Sequence, residues 1–224
     1  MGTGSAARQA MIEAAERLIA EQGIAACSLR EVQLRAGQRN KSAAHYHFGS
    51  RDGLVEAIVE TRMASINADR LARIEELDRQ GRGHDLRALV EVLIDPLADA
   101  TLGRPGSTYA RFLAQVLADP KMSALVGHHL LAESFRIARD RMAVHLDHVP
   151  EELRPLRVER AIGLVLISLA SWEGTPGSPA RVADLVDACV AVLQAPLSDR
   201  TRAALAAPGT EGDIEADTEG EERS

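Results

Sequence analysis

The stretch that decides the fold of this chain is SLREVQLRAGQRNKSAAHYHFGSRDGL, residues 28–54. Ser28, followed by Glu31 three residues later, forms a capping box and predicts the start of a helix. Three apolar residues then share one face of that helix: Leu29, Val32 and Ala36. Gly37 follows and predicts the end of the helix. The first part of the stretch is therefore predicted to be one short amphipathic helix.

A second short helix is predicted from residue 41 to residue 48. At 100° per residue, Ala44 and Phe48 fall on one face of it, while Ser42 and Tyr46 point away. Gly49 breaks the helix, and Ser50 after it can cap the next one. Two helices joined by a tight glycine-containing turn, with a polar second helix held outward, form a helix-turn-helix motif.

This stretch is basic, although the chain as a whole is acidic. Residues 28–51 hold five basic side chains against Glu31 alone, a net charge of +4, whereas the formal net charge of the chain is −7. Basic side chains neutralise phosphates, and polar side chains on an outward helix face can reach base edges in the major groove. An isolated basic helix is usually only a solvated face. Here the capping box, the glycine turn and the polar face occur in the order that favours DNA binding.

The remainder of the chain is also predicted to be helical, because helical periodicity recurs along it without β-alternation. Met11, Ala15 and Leu18 predict a first helix that ends at Gly23. Further helices are predicted over residues 52–78, 85–100, 106–118, 121–148, 151–173 and 179–194. The expected fold class is all-α, with an N-terminal three-helix head on a larger helical body.

Three regions are expected along the chain: a DNA-binding domain over residues 1–54, a helical body over 55–195, and a tail over 196–224. The tail carries eight acidic side chains against three basic ones and loses its apolar period after about Leu205. Such a composition is typical of disorder, so the tail is predicted to be disordered.

Composition argues against a membrane or extracellular protein. The N-terminus has no apolar signal segment, and the longest apolar run, residues 161–172, is too short to cross a bilayer. The two cysteines, Cys27 and Cys189, are too few and too far apart for a disulfide framework or a zinc cluster. We therefore expect a cytoplasmic protein without a membrane partner.

No metal or other cofactor is predicted. His45 and His47 are two residues apart on a helix, so they project about 200° apart and cannot share an ion. His145 and His148 are three apart and could share one, but no third ligand is evident. The dipeptide His128-His129 is interpreted as solvent-facing or pocket-lining.

The N-terminal residues, about 8–57, resemble the DNA-binding domain of the tetracycline-repressor (TetR) family of transcriptional regulators. Three groups of residues carry the resemblance: Ala14-Ala15…Leu18…Gly23, then Ser28-Leu29-Arg30-Glu31-Val32…Ala36-Gly37, then His45-Tyr46-His47-Phe48…Ser50-Arg51…Leu54. The resemblance implies base contacts from Lys41, Ser42, Ala43 and Tyr46. It implies phosphate contacts from Ser28, His45, His47 and Arg51.

The chain departs from the family pattern in two places. The segment between Gly37 and Phe48 is one residue longer than usual, which enlarges the turn and makes Arg39 and Asn40 candidates for base contacts. His45 stands where the family commonly has tyrosine.

Two segments of the body, residues 161–172 and 182–193, are apolar nearly all round. A helix that is apolar on every side must be covered on every side, and a second copy of the chain could cover one face. The predicted homodimer interface consists of Ile162, Val165, Leu166, Leu169, Leu185, Val186, Cys189 and Leu193. The TetR resemblance implies dimerisation in the same region, and a two-fold pair implies a near-palindromic operator. The alternative is a pair of core helices deep inside a monomer.

An apolar stripe with helical spacing begins at Tyr109 and is followed by further large side chains on the next predicted helix. Core packing is one interpretation. The other is the wall of an apolar cavity, where the resemblance implies an inducer site. The predicted ligand-lining residues are Tyr109, Phe112, Val116, Met122, His129, Phe135 and Trp172.

The functional hypothesis is a TetR-like regulator, a repressor that a small, largely apolar ligand releases from a double-stranded DNA operator. The alternative is a helical ligand-binding or adaptor protein whose head contacts protein instead of DNA. We do not expect an enzyme, since none of the common catalytic motifs is present. Cys27, next to a helix start, is a candidate for a lowered pKa but has no evident base beside it.

Overall fold

The computed structural model describes residues 3–40, 42–175 and 178–207, and within them it contains no β-strand. The all-α prediction is confirmed. Eleven α-helices are found in these residues: α1 Thr3–Gln22, α2 Leu29–Arg35, α3 Ala43–Phe48, α4 Arg51–Arg79, α5 Leu86–Thr101, α6 Tyr109–Ala118, α7 Pro120–Leu130, α8 Glu133–Met142, α9 Arg154–Trp172, α10 Pro179–Gln194 and α11 Asp199–Ala206. Short 3₁₀ turns lie at Ile24–Ala26, Ala143–Leu146 and Glu151–Leu153.

The head consists of α1, α2 and α3 packed against one another and against the start of α4. Its core is formed by apolar side chains spaced three or four residues apart on α1 and by a few from the shorter helices. The buried residues include Met11, Ile12, Ala15, Leu18, Ile19, Val32, Ala43, Ala44, Phe48 and Leu54. The two short helices are therefore held by the apolar stripes that the sequence predicted.

Helix α4 joins the head to the body. Its 29 residues extend over about 43 Å at 1.5 Å per residue. It packs against α1 and α3 in the head and against α5, α7 and α8 in the body. Helices α9 and α10 pack on α6 and α5 and close the other side of the body. None of the helices in the described residues is long and apolar enough to span a membrane.

The single helix predicted over residues 121–148 is wrong. Helix α7 ends at Leu130 and α8 begins at Glu133, because Ala132 adopts an extended conformation (φ −58°, ψ 169°). A side chain of α4 stabilises the break: Asn67 Nδ2 donates to the His129 carbonyl at 3.4 Å and Asn67 Oδ1 accepts from Ser134 Oγ at 3.1 Å.

The prediction of disorder from residue 196 onward is wrong for its first part. Helix α11 occupies Asp199–Ala206, and Ser198 caps it by accepting from the Thr201 N–H at 3.2 Å. A serine cap and an alanine-rich turn favour this helix in spite of the acidic residues that follow. Residues 208–224, which carry most of the acidic side chains, lie outside the described residues.

Candidate nucleic-acid interface and ligand cavity

Helix α2 begins and ends with the signals that its sequence carries. Ser28 Oγ accepts from the Glu31 N–H at 3.1 Å, as predicted. The Glu31 carboxylate does not complete the capping box but pairs with Arg35 Nε at 2.8 Å. At the other end, Gly37 has a φ of +65°, its N–H donates to Leu34 O, and the next N–H donates to Gln33 O. This is a Schellman motif, which requires a left-handed residue and therefore favours glycine.

The enlarged turn between α2 and α3 is closed by Asn40. Its Oδ1 accepts from the Ser42 N–H at 3.0 Å, and its carbonyl accepts from Gln33 Nε2 at 3.0 Å and from the Ala43 N–H at 3.1 Å. Gln33 is a buried polar residue that the sequence analysis did not single out. A polar network thus closes the turn, and Asn40 positions the start of α3.

Helix α3 has the orientation that the sequence predicted. Ala44 and Phe48 are buried, whereas Tyr46 is 85% exposed. Ser42 and His45 are also exposed, and the Ser42 hydroxyl makes no capping bond. The exposed side chains of α3 therefore form a polar and aromatic surface on the outside of the head.

One predicted base contact does not lie on this surface. Ala43 is only 8% exposed and belongs to the core, because α3 begins against α2 and the side chain at its first position is covered. Ala43 is therefore not expected to contact a base. His47 is half-buried and lies edge-on to Tyr46, with 5.2 Å between the ring centroids. Lys41, the other predicted contact on this turn, lies outside the described residues.

The positive charge around α3 includes a residue that the sequence analysis did not select. The guanidinium carbon of Arg8, on α1, lies 5.6 Å from the centroid of the Phe48 ring, within the range of a cation–π contact. Arg8 precedes α3 by more than thirty residues, so only the packing of α1 reveals its position. Arg39 is exposed in the turn between α2 and α3.

The start of α4 lies beside the end of α3. Ser50 Oγ accepts from the Gly53 N–H at 3.0 Å, which confirms the predicted cap. A Cβ atom at Gly53 would lie 2.3 Å from the Phe48 carbonyl oxygen, so glycine is required there for close packing. Arg51 follows the cap and is half-buried, 3.4 Å from Asp52. A hydrogen bond from Lys121 on α7 holds the pKa of Asp52 below its usual value, and this 2.7 Å contact ties the first turn of α4 to the body.

Neither cysteine is an activated nucleophile. Burial raises the pKa of the Cys27 thiol to about 11, even though Arg51 lowers it, so the lowered pKa considered from the sequence is wrong. Burial also raises the pKa of Cys189 to about 11. Both thiols are therefore protonated at neutral pH.

The body encloses a cavity of about 840 Å³ between α4, α5, α7, α9 and their neighbours. Its wall is almost entirely aliphatic, with polar side chains from Arg70, Ser123 and His128. The volume lies within the range of pockets that enclose small molecules. The cavity is thus suited to a ligand with a large apolar part.

Most of the predicted ligand-lining residues do not line this cavity; Phe135 does. Four of the others are core residues that are at most 1% exposed: Tyr109, Phe112, Val116 and Met122. Helix α6 packs against both α1 and α9, so its apolar residues are divided between two contacts, and Leu113 and Leu117 are the ones that reach the cavity. Trp172 and His129 are also absent from the wall, and His128 lines it in place of its neighbour.

Most of the residues predicted for the dimer interface do not lie on the surface of the subunit. Seven of the eight predicted residues are buried within the subunit: Val165, Leu166, Leu169, Leu185, Val186, Cys189 and Leu193. Several of them line the cavity, as does the partly buried Ile162. The outer face of α9 instead exposes Ile167 (70%) and Leu156 (39%). When a helix is apolar on all sides, its sequence does not show which face points outward. The residues predicted for the interface belong to the inward faces of α9 and α10.

One group of three metal-type donors lies close together in the described residues, at the contact between α4 and α7. Glu56 Oε1 is 3.5 Å from His128 Nε2 and 3.8 Å from His129 Nε2. Glu56 is distant from the two histidines along the chain, so the sequence alone does not reveal this group. The contact can hold an ion pair between the carboxylate and a protonated imidazole.

Together, α2, the turn after it and the outward-facing α3 form a helix-turn-helix motif on an all-helical body. Residues 11–58 match the family model described as bacterial regulatory proteins, tetR family. The N-terminal part of the chain thus matches the DNA-binding domain of that family, which agrees with the resemblance found in the sequence.

Two solved structures support the fold over most of the chain. A TetR-family transcriptional regulator of Mesorhizobium loti has a TM-score of 0.50 at 16% identity, covering 87% of this chain and 96% of the other. The TetR-family regulator PfmR of Thermus thermophilus has a TM-score of 0.51 at 19% identity, covering 84% of this chain and 98% of the other. At these identities the similarity establishes the fold alone. No curated protein matches the chain in sequence.

Proposed function

We propose that the protein is a homodimeric repressor whose two heads bind a near-palindromic DNA operator and whose body releases DNA when a small, largely apolar ligand occupies the cavity. The observation that carries this proposal is the continuity of α4. Helix α4 begins at Arg51, just after the end of the exposed α3. Further along, its residues Met63 and Arg70 form part of the cavity wall. One rigid element therefore belongs to both sites.

The exposed surface of the head supports DNA as the partner. Ser42, His45 and Tyr46 are exposed on α3 and are of the types that contact bases or phosphates in the major groove. Arg39 in the turn and Arg51 at the start of α4 are placed to contact phosphates, and Arg8 adds a third cation beside Phe48. Ser28 and His47 keep the phosphate contacts that the family resemblance implies.

The outer face of α9 supports a homodimer. Ile167 is 70% exposed, and Gly163 and Leu164 precede it by four and three residues on the same side of the helix. Leu156, seven residues before Gly163, lies on that side as well. Large apolar side chains exposed along one helix are typical of an interface. A two-fold axis beside α9 and α10 would repeat the reading helix, and the operator would repeat its half-site.

Ligand release follows from thermodynamic linkage. A ligand that favours one position of α4 in the body must bias the position of the head at the end of the same helix. Coupling of this kind is typically about 1–3 kcal/mol and is reciprocal, so operator DNA weakens ligand binding by the same factor. Such a regulator acts in the cytoplasm, where its DNA is, and needs no catalytic group.

Fluorescence anisotropy with labelled duplexes tests the DNA-binding part of the proposal. For six or more phosphate contacts, affinity should fall by about 10³-fold between roughly 50 and 200 mM salt. Tyr46→Ala should weaken binding to the preferred duplex and reduce its preference over a scrambled one. Val144→Ala, which truncates another exposed apolar side chain (56% exposed) in the body, is the matched control and should change neither.

Two results would argue against this function. Binding that is weak and insensitive to salt would favour the alternative, a head that contacts protein. A Tyr46→Ala variant with unchanged affinity and unchanged preference would show that the outward face of α3 does not read DNA.

A further inference from the structure

The cavity wall contains a buried arginine that pairs with no carboxylate in the described part of the chain. Arg70 on α4 is only 6% exposed. Its Nη2 donates to the Leu93 carbonyl at 2.8 Å, and its Nη1 lies 3.5 Å from Asn67 Oδ1. Its Nε has no hydrogen-bond partner among the residues that the structure describes. Among the described residues, no carboxylate raises the pKa of Arg70. The group that would raise this pKa is Tyr109, if its hydroxyl were ionised.

This arginine nevertheless carries its charge. Burial lowers its pKa to about 10, so the guanidinium remains protonated at neutral pH. Burial raises the pKa of Tyr109 far above its usual value, so that hydroxyl is neutral and does not balance the charge. A buried charge is costly unless it is paired. The cavity wall therefore holds a positive charge that no described carboxylate balances.

A purely structural role accounts for only part of this arrangement. Pro96 lies inside α5 and has no N–H, so the Val92 carbonyl loses its intrahelical donor. The adjacent Leu93 carbonyl accepts from Arg70, which supports the helix at this point. One of the five N–H groups of a guanidinium is enough for that contact, and a neutral amide would also serve. The charge and the free Nε remain unexplained.

We propose that the ligand of this cavity is an amphiphilic carboxylic acid, bound with its carboxylate on the Arg70 guanidinium and its apolar body among the aliphatic side chains of the wall. This inference rests on the proposed function only in taking the cavity as the ligand site. An arginine fork suits a planar carboxylate, and the charge-assisted bond is stronger in an apolar surrounding. Residues on the other helices supply the apolar contact: Val90, Leu97, Leu113, Phe135, Val165 and Leu193.

The position of Arg70 also gives the carboxylate an effect on the head. Arg70 lies on α4, and the first turn of the same helix packs against the carbonyl end of α3 at Gly53. A carboxylate that draws Arg70 away from Leu93 would act directly on the helix that carries the reading head.

The experiment compares straight-chain carboxylates of eight to sixteen carbons with the primary alcohols of the same length. Each is titrated against the full chain by displacement of the neutral dye Nile red and by calorimetry. In the wild type, the carboxylates are expected to bind at least about tenfold more tightly than the matching alcohols. Equal binding of the two classes would overturn the proposal.

Two variants of Arg70 and one control separate charge from shape. Arg70→Met keeps the length of the side chain, and Arg70→Gln keeps a donor for the Leu93 carbonyl. Both should lose the preference for carboxylates while binding the alcohols as before, and retained alcohol binding shows that the cavity is intact. Arg79→Met changes the net charge equally at an exposed position of α4 and should keep the preference. A variant of Arg70 that keeps the preference would refute the assignment.

The outcomes also separate this inference from the proposed function. If carboxylates bind with the expected preference but leave DNA binding unchanged, the inference stands and ligand-driven release fails. If neither class binds at any chain length, the inference is overturned, whereas the DNA-binding assays of the head remain a separate test.

Discussion

Removal of the Glu16 carboxylate is expected to weaken the junction between head and body. Glu16 lies on α1, and its side chain is 3% exposed. Its Oε2 accepts from Arg62 Nε on α4 at 2.7 Å, and its Oε1 accepts from Thr108 Oγ1, at the start of α6, at 3.0 Å. One carboxylate therefore connects the first helix of the head with two helices of the body.

The magnitude follows from the two hydrogen bonds. A bond between charged groups contributes about 1.5–3 kcal/mol, and one from a hydroxyl contributes about 1 kcal/mol. Arg62 is 24% exposed, so water can partly replace the lost carboxylate. Glu16→Ala should therefore lower the free energy of unfolding by about 2–4 kcal/mol. Glu16→Gln should lose less, since its amide oxygen can still accept from Thr108.

Urea denaturation followed by circular dichroism measures this change, and the melting temperature should fall by about 2–4 °C for each kcal/mol in a chain of this size. Glu31→Ala is the control, because the Glu31–Arg35 pair on α2 is exposed and worth about 0.3–0.5 kcal/mol. A loss below about 1 kcal/mol for Glu16→Ala, or a loss equal to that of the control, would refute this reasoning.

Three further substitutions test other parts of the structure. Glu173, whose side chain is fully buried, accepts from Ser107 Oγ and from the Ala110 and Arg111 N–H groups at the start of α6, so Glu173→Ala should cost about 2–4 kcal/mol in urea denaturation. Gly53→Ala should displace the end of α3 and lower both stability and DNA affinity. Gly127→Ala, where a Cβ meets nothing within 4 Å, should be neutral or stabilise by up to about 1 kcal/mol in the same assays. Ile167→Glu should convert the proposed dimer to a monomer in light scattering, while Val144→Glu, also exposed, should not; a dimeric Ile167→Glu would place the interface elsewhere.

The head could be predicted from the sequence because its signals are local. The caps at Ser28 and Ser50 and the turn at Gly37 act over two to four residues, and the inward face of α3 follows from helical spacing alone. Arg8 and Gly53 could not be selected in this way, because their roles depend on the packing of α1 and α4 against α3.

The body was predicted less well because its helices are apolar on more than one side. Periodicity shows that α6, α9 and α10 are apolar, but not which neighbour covers each face. Residues predicted to line the cavity therefore lie in the core, and several predicted for the interface line the cavity. The break between α7 and α8 depends on Asn67, which is more than sixty residues away in the chain. Arg70 gave no local signal, since an arginine on a long helix is normally solvated.

Selection of bound duplexes from a random pool tests most directly whether the heads read DNA as a symmetric pair. The full chain should enrich near-palindromic sequences whose half-sites are centred about 10–10.5 base pairs, or a multiple of this, apart. The Tyr46→Ala variant should enrich them poorly. Enrichment of a single asymmetric site, or of no sequence at all, would contradict the account.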